Sequence, residues 1–99
     1  MAYEVKITPT ARTSYFQILQ FLIDNYDSGV ANKFEGQVRH CVSLIAENPG
    51  MFEHIDEYNA RRAIIDRYTS MFYEVKNFVI VIHLFWHNRR NPRDLKIEY

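Results

Sequence analysis

The sequence predicts an α+β domain in which an antiparallel helical hairpin packs on one face of a mainly antiparallel sheet. Three observations lead there. Apolar residues recur at helical spacing between Ala11 and Ile45. From Arg62 onward the pattern changes to short runs rich in Ile, Val, Phe and Tyr, which favour strands. One alternating segment precedes the helices. The chain has 99 residues, 47% of them hydrophobic and 15% aromatic. That is the length of one domain, spanning residues 1–99, with large side chains suited to a small core.

In chain order, Tyr3, Val5 and Ile7 alternate with Glu4 and Lys6, the pattern of a half-buried strand. Thr8 reads as a helix N-cap and Pro9 as the first helical residue. Ala11, Tyr15, Ile18, Leu19, Leu22, Ile23 and Tyr26 then form one stripe. Residues 25–29 break it, and Ser28 can cap a second helix with the stripe Val30, Phe34, Val38, Cys41, Val42 and Ile45. Asn48-Pro49-Gly50 stops that helix. The short link makes the pair antiparallel. Gly36 lies mid-helix, at a cost of about 1 kcal/mol against Ala, and predicts close approach of the partner helix.

Residues 49–60 read as a loop. Arg62–Ile65, Ser70–Val75 and Phe78–Trp86 read as strands, the last two joined through Lys76-Asn77 as a hairpin. Asn88–Pro92 is turn-like, and Leu95–Tyr99 is a short strand or a tail. Strict alternation along the long strand puts Phe78, Ile80, Ile82, Leu84 and Trp86 beneath the helices. Val79, Val81, His83, Phe85 and His87 then take the open face.

Composition narrows the function. No apolar run approaches the roughly 18 residues of a membrane span, and no signal-peptide pattern opens the chain. A cytoplasmic protein without membrane contact is expected. The single cysteine, Cys41, forbids an internal disulfide and falls on the stripe of the second helix, a core position rather than a nucleophile's. Twelve bases balance twelve acids, yet residues 1–60 carry four bases and eight acids, and residues 61–99 carry eight and four. That polarity points to an acidic or nucleic-acid partner at the second half, although chance fluctuation of surface charge fits equally.

The late basic and imidazole residues are the binding candidates: Arg61, Arg62, Arg67, His83, His87, Arg89 and Arg90. Arginine forks grip phosphate or carboxylate, and histidine titrates near neutrality. A solvated rim is the bland reading of any one of them; the cluster favours binding. His83 and His87 are four residues apart, about 13 Å on a strand, too far for one metal. No metal, cofactor or small-molecule site is expected. The three glycines are scattered, so no phosphate-cradling loop exists, and no serine lies in a nucleophile elbow.

The chain carries Arg62, then Arg67-Tyr68-Thr69-Ser70-Met71-Phe72-Tyr73-Glu74-Val75, then an apolar strand closing with His87-Asn88-Arg89-Arg90-Asn91-Pro92. This order, behind a strand and two helices, resembles the RelE/ParE superfamily of bacterial toxins over nearly the whole chain. The resemblance implies a toxin from a toxin–antitoxin, or plasmid stabilisation, module. It implies a cognate antitoxin as partner and one of two targets. A ParE-like member inhibits DNA gyrase. A RelE-like member is a metal-independent, ribosome-dependent mRNA endonuclease, for which Arg62, His87, Arg89 and Arg90 would be the working residues. RelE-like ribonucleases carry an arginine just before the tyrosine matched by Tyr73; here Thr69-Ser70-Met71-Phe72 supplies no cation. Glu98-Tyr99 also departs from the His-Tyr ending of YoeB-type nucleases. Gyrase inhibition is therefore slightly favoured, with the mRNA endonuclease and an inactive toxin-fold binding module as alternatives.

Overall fold

The structure, a computed structural model, describes residues 2–87. Strand β1 (Glu4–Ile7) leads into helix α1 (Pro9–Asn25) and helix α2 (Ser28–Glu47). Strands β2 (His54–Ile55), β3 (Ala60–Asp66), β4 (Thr69–Lys76) and β5 (Val79–His87) follow. They form a mixed five-stranded sheet ordered β1-β5-β4-β3-β2. Only the β1–β5 pair is parallel. The expected turn at Asn88–Pro92, the segment Leu95–Tyr99, and Arg89 and Arg90 lie outside the described residues.

Local chemistry explains the helices. The Thr8 hydroxyl accepts from the Ala11 amide at 3.0 Å, and Pro9 opens α1 with its φ already set. Asp27, rather than the expected Ser28, caps α2: its carboxylate accepts from the Val30 amide at 2.9 Å. A carboxylate there also meets the positive end of the helix dipole. The two stripes meet over the sheet. Ala11, Ile18 and Leu22 of α1 and Phe34, Val38, Cys41 and Ile45 of α2 close on Ala63, Met71, Tyr73, Ile80, Ile82 and Phe85. Each large apolar side chain buried this way contributes about 1.5–3 kcal/mol. Cys41 is buried in this layer. Gly36 differs from expectation: it is exposed, and a Cβ built there would meet nothing within 4 Å. No close helix approach requires it.

Two further departures concern the sheet. Residues 49–60 are not all loop. His54–Ile55 pairs antiparallel with Ala60–Arg61, turned by a short 3₁₀ segment and by Asn59 in the left-handed region at φ 51°. Such a two-residue strand carries no periodicity to detect. The β4–β5 hairpin forms as expected, with Asn77 at φ 55°, but Phe78 sits in the turn and is 78% exposed rather than buried.

The larger correction concerns β5. Phe72 faces Leu84, yet Tyr73 faces Ile82, which leaves His83 as an extra residue. This β-bulge resets the alternation. Val81 and His83 keep to the open face, as expected. Beyond the bulge Phe85 and His87 turn toward the helices, and Leu84 and Trp86 turn away. The cause lies in α1. The β1–β5 ladder ends at Ile7–Ile82. There the Thr8 amide donates to the Ile82 carbonyl at 3.1 Å and its hydroxyl donates to the His83 carbonyl at 3.2 Å. The Phe85 amide then donates to the Ser14 hydroxyl at 3.0 Å. The Thr8 cap and the Ser14 side chain thus replace the missing strand and satisfy backbone groups that would otherwise be stranded.

Candidate functional site

The candidate side chains divide between the two faces of the sheet. Arg62 alternates with the core residue Ala63 and sits opposite Phe72, which places it on the open face. Its Nε donates to the Ser70 hydroxyl at 3.0 Å. Phe72 is buried beside it, with the Tyr58 ring edge-on at 6.1 Å. His83 shares this face. Its Nε2 lies 3.0 Å from a Glu74 carboxylate oxygen, which Lys76 also approaches at 3.7 Å. Strand spacing separates β3 from β5 by about 10 Å, so Arg62 and His83 do not converge.

His87 belongs to the helix side. Its Nδ1 lies 3.0 Å from the Thr69 hydroxyl, and its ring stands 5.3 Å from Phe21 of α1 and 6.3 Å from Tyr68. There it lines a cleft of about 450 Å³ with Tyr26, Lys33, Gln37, Arg67 and Tyr68. The Arg67 guanidinium lies over the Tyr68 ring, 5.4 Å from its centroid, a cation–π contact. The structure therefore brings His87 and Arg67 to one cleft, leaves Arg62 and His83 on the opposite face, and separates Arg61 from both. Arg61 donates to the Phe52 carbonyl at 2.6 Å and pins the segment after α2. Nearby the Tyr73 hydroxyl donates to the Pro49 carbonyl at 2.6 Å.

Other chemistry has little footing. Burial pushes the Cys41 thiol up to about 11, so it stays protonated and is no nucleophile. Among the described residues no three His, Cys, Asp or Glu side chains gather as metal ligands. No described helix is long and apolar enough to cross a membrane.

The sequence reading missed Glu74 as the partner of His83, and Tyr26, Lys33 and Gln37 as walls of the His87 cleft. Glu74 becomes visible only when the β4–β5 register is known. The cleft residues come from the helices, where an exposed Tyr or Lys looks like ordinary surface.

The fold and the family match together place the chain in a class of small toxins. The chain belongs to the ParE toxin family of type II toxin–antitoxin systems (parDE), whose family model matches residues 5–92. Solved structures share the fold at low sequence identity. The chromosomal ParDE toxin–antitoxin system of Pseudomonas aeruginosa matches with TM-score 0.73 and 18% identity, over 87% of this chain and 96% of that one. The RelBE2 toxin–antitoxin complex of Mycobacterium tuberculosis matches with TM-score 0.60 and 14% identity, over 88% and 99%. A conserved hypothetical protein of Helicobacter pylori matches with TM-score 0.58 and 13% identity, over 88% and 96%. No curated protein sequence matches the chain significantly.

Proposed function

We propose that this toxin acts in the cytoplasm as a ParE-like inhibitor of DNA gyrase, held silent by a cognate antitoxin, and does not cut RNA itself. One observation carries the choice. Arg62, one of the cations that the resemblance would put to work in RNA cleavage, lies on the face of the sheet opposite His87, the proton-transfer group. Cleavage through a 2′-hydroxyl needs a base, an acid and a cation within reach of one phosphate. The sheet stands between Arg62 and His87, and the cation that does share the His87 cleft, Arg67, lies over the Tyr68 ring. Thr69-Ser70-Met71-Phe72 adds no cation before Tyr73. Binding to a protein target asks for no such convergence, and arginine and aromatic side chains at several points of the surface suit it.

The test expresses the chain inducibly and runs two assays in parallel. Message 5′ ends are mapped in the arrested cells, and purified gyrase is assayed for supercoiling with the purified chain added. Intact messages with lost supercoiling are expected. Codon-phased cuts that disappear in His87→Ala would assign the endonuclease reading instead. A folded chain that leaves growth, messages and supercoiling unchanged would indicate an inactive binding module.

A further inference from the structure

The cleft beside His87 holds a set of groups that inhibition of gyrase leaves unused. Its base is apolar, with Leu22 and Phe34 buried there. Its walls come from two turns of the fold, the link between α1 and α2 and the turn between β3 and β4. Tyr26 stands at the first and Tyr68 at the second. Both phenol rings lie partly in water, at 47% and 40% exposure. A concave site of about 450 Å³, apolar at its base with a few polar groups converging on it, has the size and lining of a small-molecule pocket.

Two of those polar groups are uncommitted. Lys33 and Gln37 are four residues apart on α2, one turn of helix, so they share its cleft face. Among the described residues neither side chain makes an ion pair or a hydrogen bond. Gln37 is half-buried. A primary amide offers two donors and an acceptor, and one that is half out of water calls for a partner. On the other wall the Arg67 guanidinium lies over the Tyr68 ring, which makes that wall both flat and cationic. Asp66 brings a carboxylate to the cleft, and it accepts from the Tyr68 amide at 2.8 Å, closing the β3–β4 turn. Two cations of the lining therefore stand against one carboxylate that is already engaged.

We infer that this cleft binds a nucleoside phosphate, free or at an unpaired strand. The base stacks on Tyr26, since every base has a π face and aromatic side chains take it without regard to sequence. The Gln37 amide takes the edge of the base, and its paired donor and acceptor match adenine best. The Lys33 ammonium takes the phosphate as a compact point charge. Arg67, held on Tyr68, closes the far wall as a second flat surface. An acidic peptide would meet Lys33 but would leave the flat walls and the Gln37 amide unused. Binding of this kind asks for no proton transfer, and His87 stays at the Thr69 hydroxyl. The inference goes beyond inhibition of gyrase and does not depend on it.

The probe is adenosine 5′-monophosphate, titrated against the full chain and followed by amide chemical shifts. Adenosine, inorganic phosphate, a short deoxyadenylate strand and a short glutamate peptide are titrated in parallel. Saturable binding of the monophosphate is expected, with shifts centred on Lys33, Gln37 and Tyr68. Adenosine and inorganic phosphate should each bind roughly tenfold more weakly, because each keeps only one of the two anchors, stacking or charge. Lys33→Glu should weaken the monophosphate about tenfold and leave adenosine unchanged, whereas Tyr26→Ala should weaken both by about that factor. Gln37→Ala puts a strong helix former on α2, so its loss of binding, with the parent's circular dichroism spectrum, separates a lost contact from a lost fold. A strand that binds more tightly than the monophosphate marks nucleic acid as the source of the nucleotide, and a strand that binds no better marks the free nucleotide; either supports the site. No saturation at millimolar monophosphate, shifts confined to residues outside the cleft, or inorganic phosphate as tight as the monophosphate would overturn the inference. So would a glutamate peptide that binds more tightly than the monophosphate, which would give the cleft to an acidic protein.

Discussion

The Ser14 hydroxyl accepts a hydrogen bond from the Phe85 amide at 3.0 Å, across 71 residues of chain. The same hydroxyl donates to the Ala11 carbonyl at 2.9 Å. One small side chain therefore ties the first turns of α1 to the strand just beyond its bulge. It helps decide which residues of β5 face the helices. Through that it decides that Arg62 and His87 sit apart.

Ser14→Ala should leave the Phe85 amide without its acceptor. The expected loss is about 1–3 kcal/mol, the range for stranding a buried donor. Urea unfolding measures it, and the Phe85 amide should exchange faster than its neighbours. An unchanged midpoint would mean that the bulge holds without α1.

Gly36 gives the opposite sign. It is helical, exposed and free of neighbours within reach of a Cβ. Gly36→Ala should stabilise the chain by about 0.5–1 kcal/mol, because a methyl restricts the unfolded chain without crowding the folded one. Thermal unfolding checks this directly.

Sequence patterns hold where the contacts that decide a position are local. The α1 cap, the stripes and the hairpin are local, and Thr8, Pro9, Cys41 and Asn77 carry their meaning in their own neighbourhoods. The glycine invited a tertiary explanation that the packing does not supply. The bulge at His83 arises from Thr8 and Ser14, more than 65 residues away, and no period within β5 announces it. Alternation put His83 on the correct face, but could not see His87 change sides one turn of the pleat later.

Trp86 is 8% exposed although it lies on the face away from the helices. Trp86→Ala should cost about 3–5 kcal/mol, in line with large-to-small changes in packed sites. The helix-side contacts of Phe85 with Tyr15, at 5.3 Å between rings, should survive the change. Their loss, seen as new chemical shifts throughout α1, would return Trp86 to the helix side.

Alkaline pH should weaken the fold. Burial pushes the Cys41 thiol up to about 11 and the Tyr73 phenol up to about 12, each above its ordinary value of 9.0 and 10.0. The unfolded chain gives up these protons first. The stability they represent is therefore whole below about pH 9 and falls as pH rises through the folded values. Urea midpoints should decline from pH 9 upward, and Cys41→Ala should remove the earlier part of that decline. A flat profile to pH 11 would contradict the burial of both groups.

The placement of His87 tests the account most directly. Nuclear Overhauser spectra of the folded chain should show the His87 ring protons close to the Phe21 ring and to the Thr69 side chain, with none to Phe72 or to Arg62. Contacts from His87 to Phe72 or Arg62 would put the imidazole and the guanidinium on one face and would contradict the case against RNA cleavage.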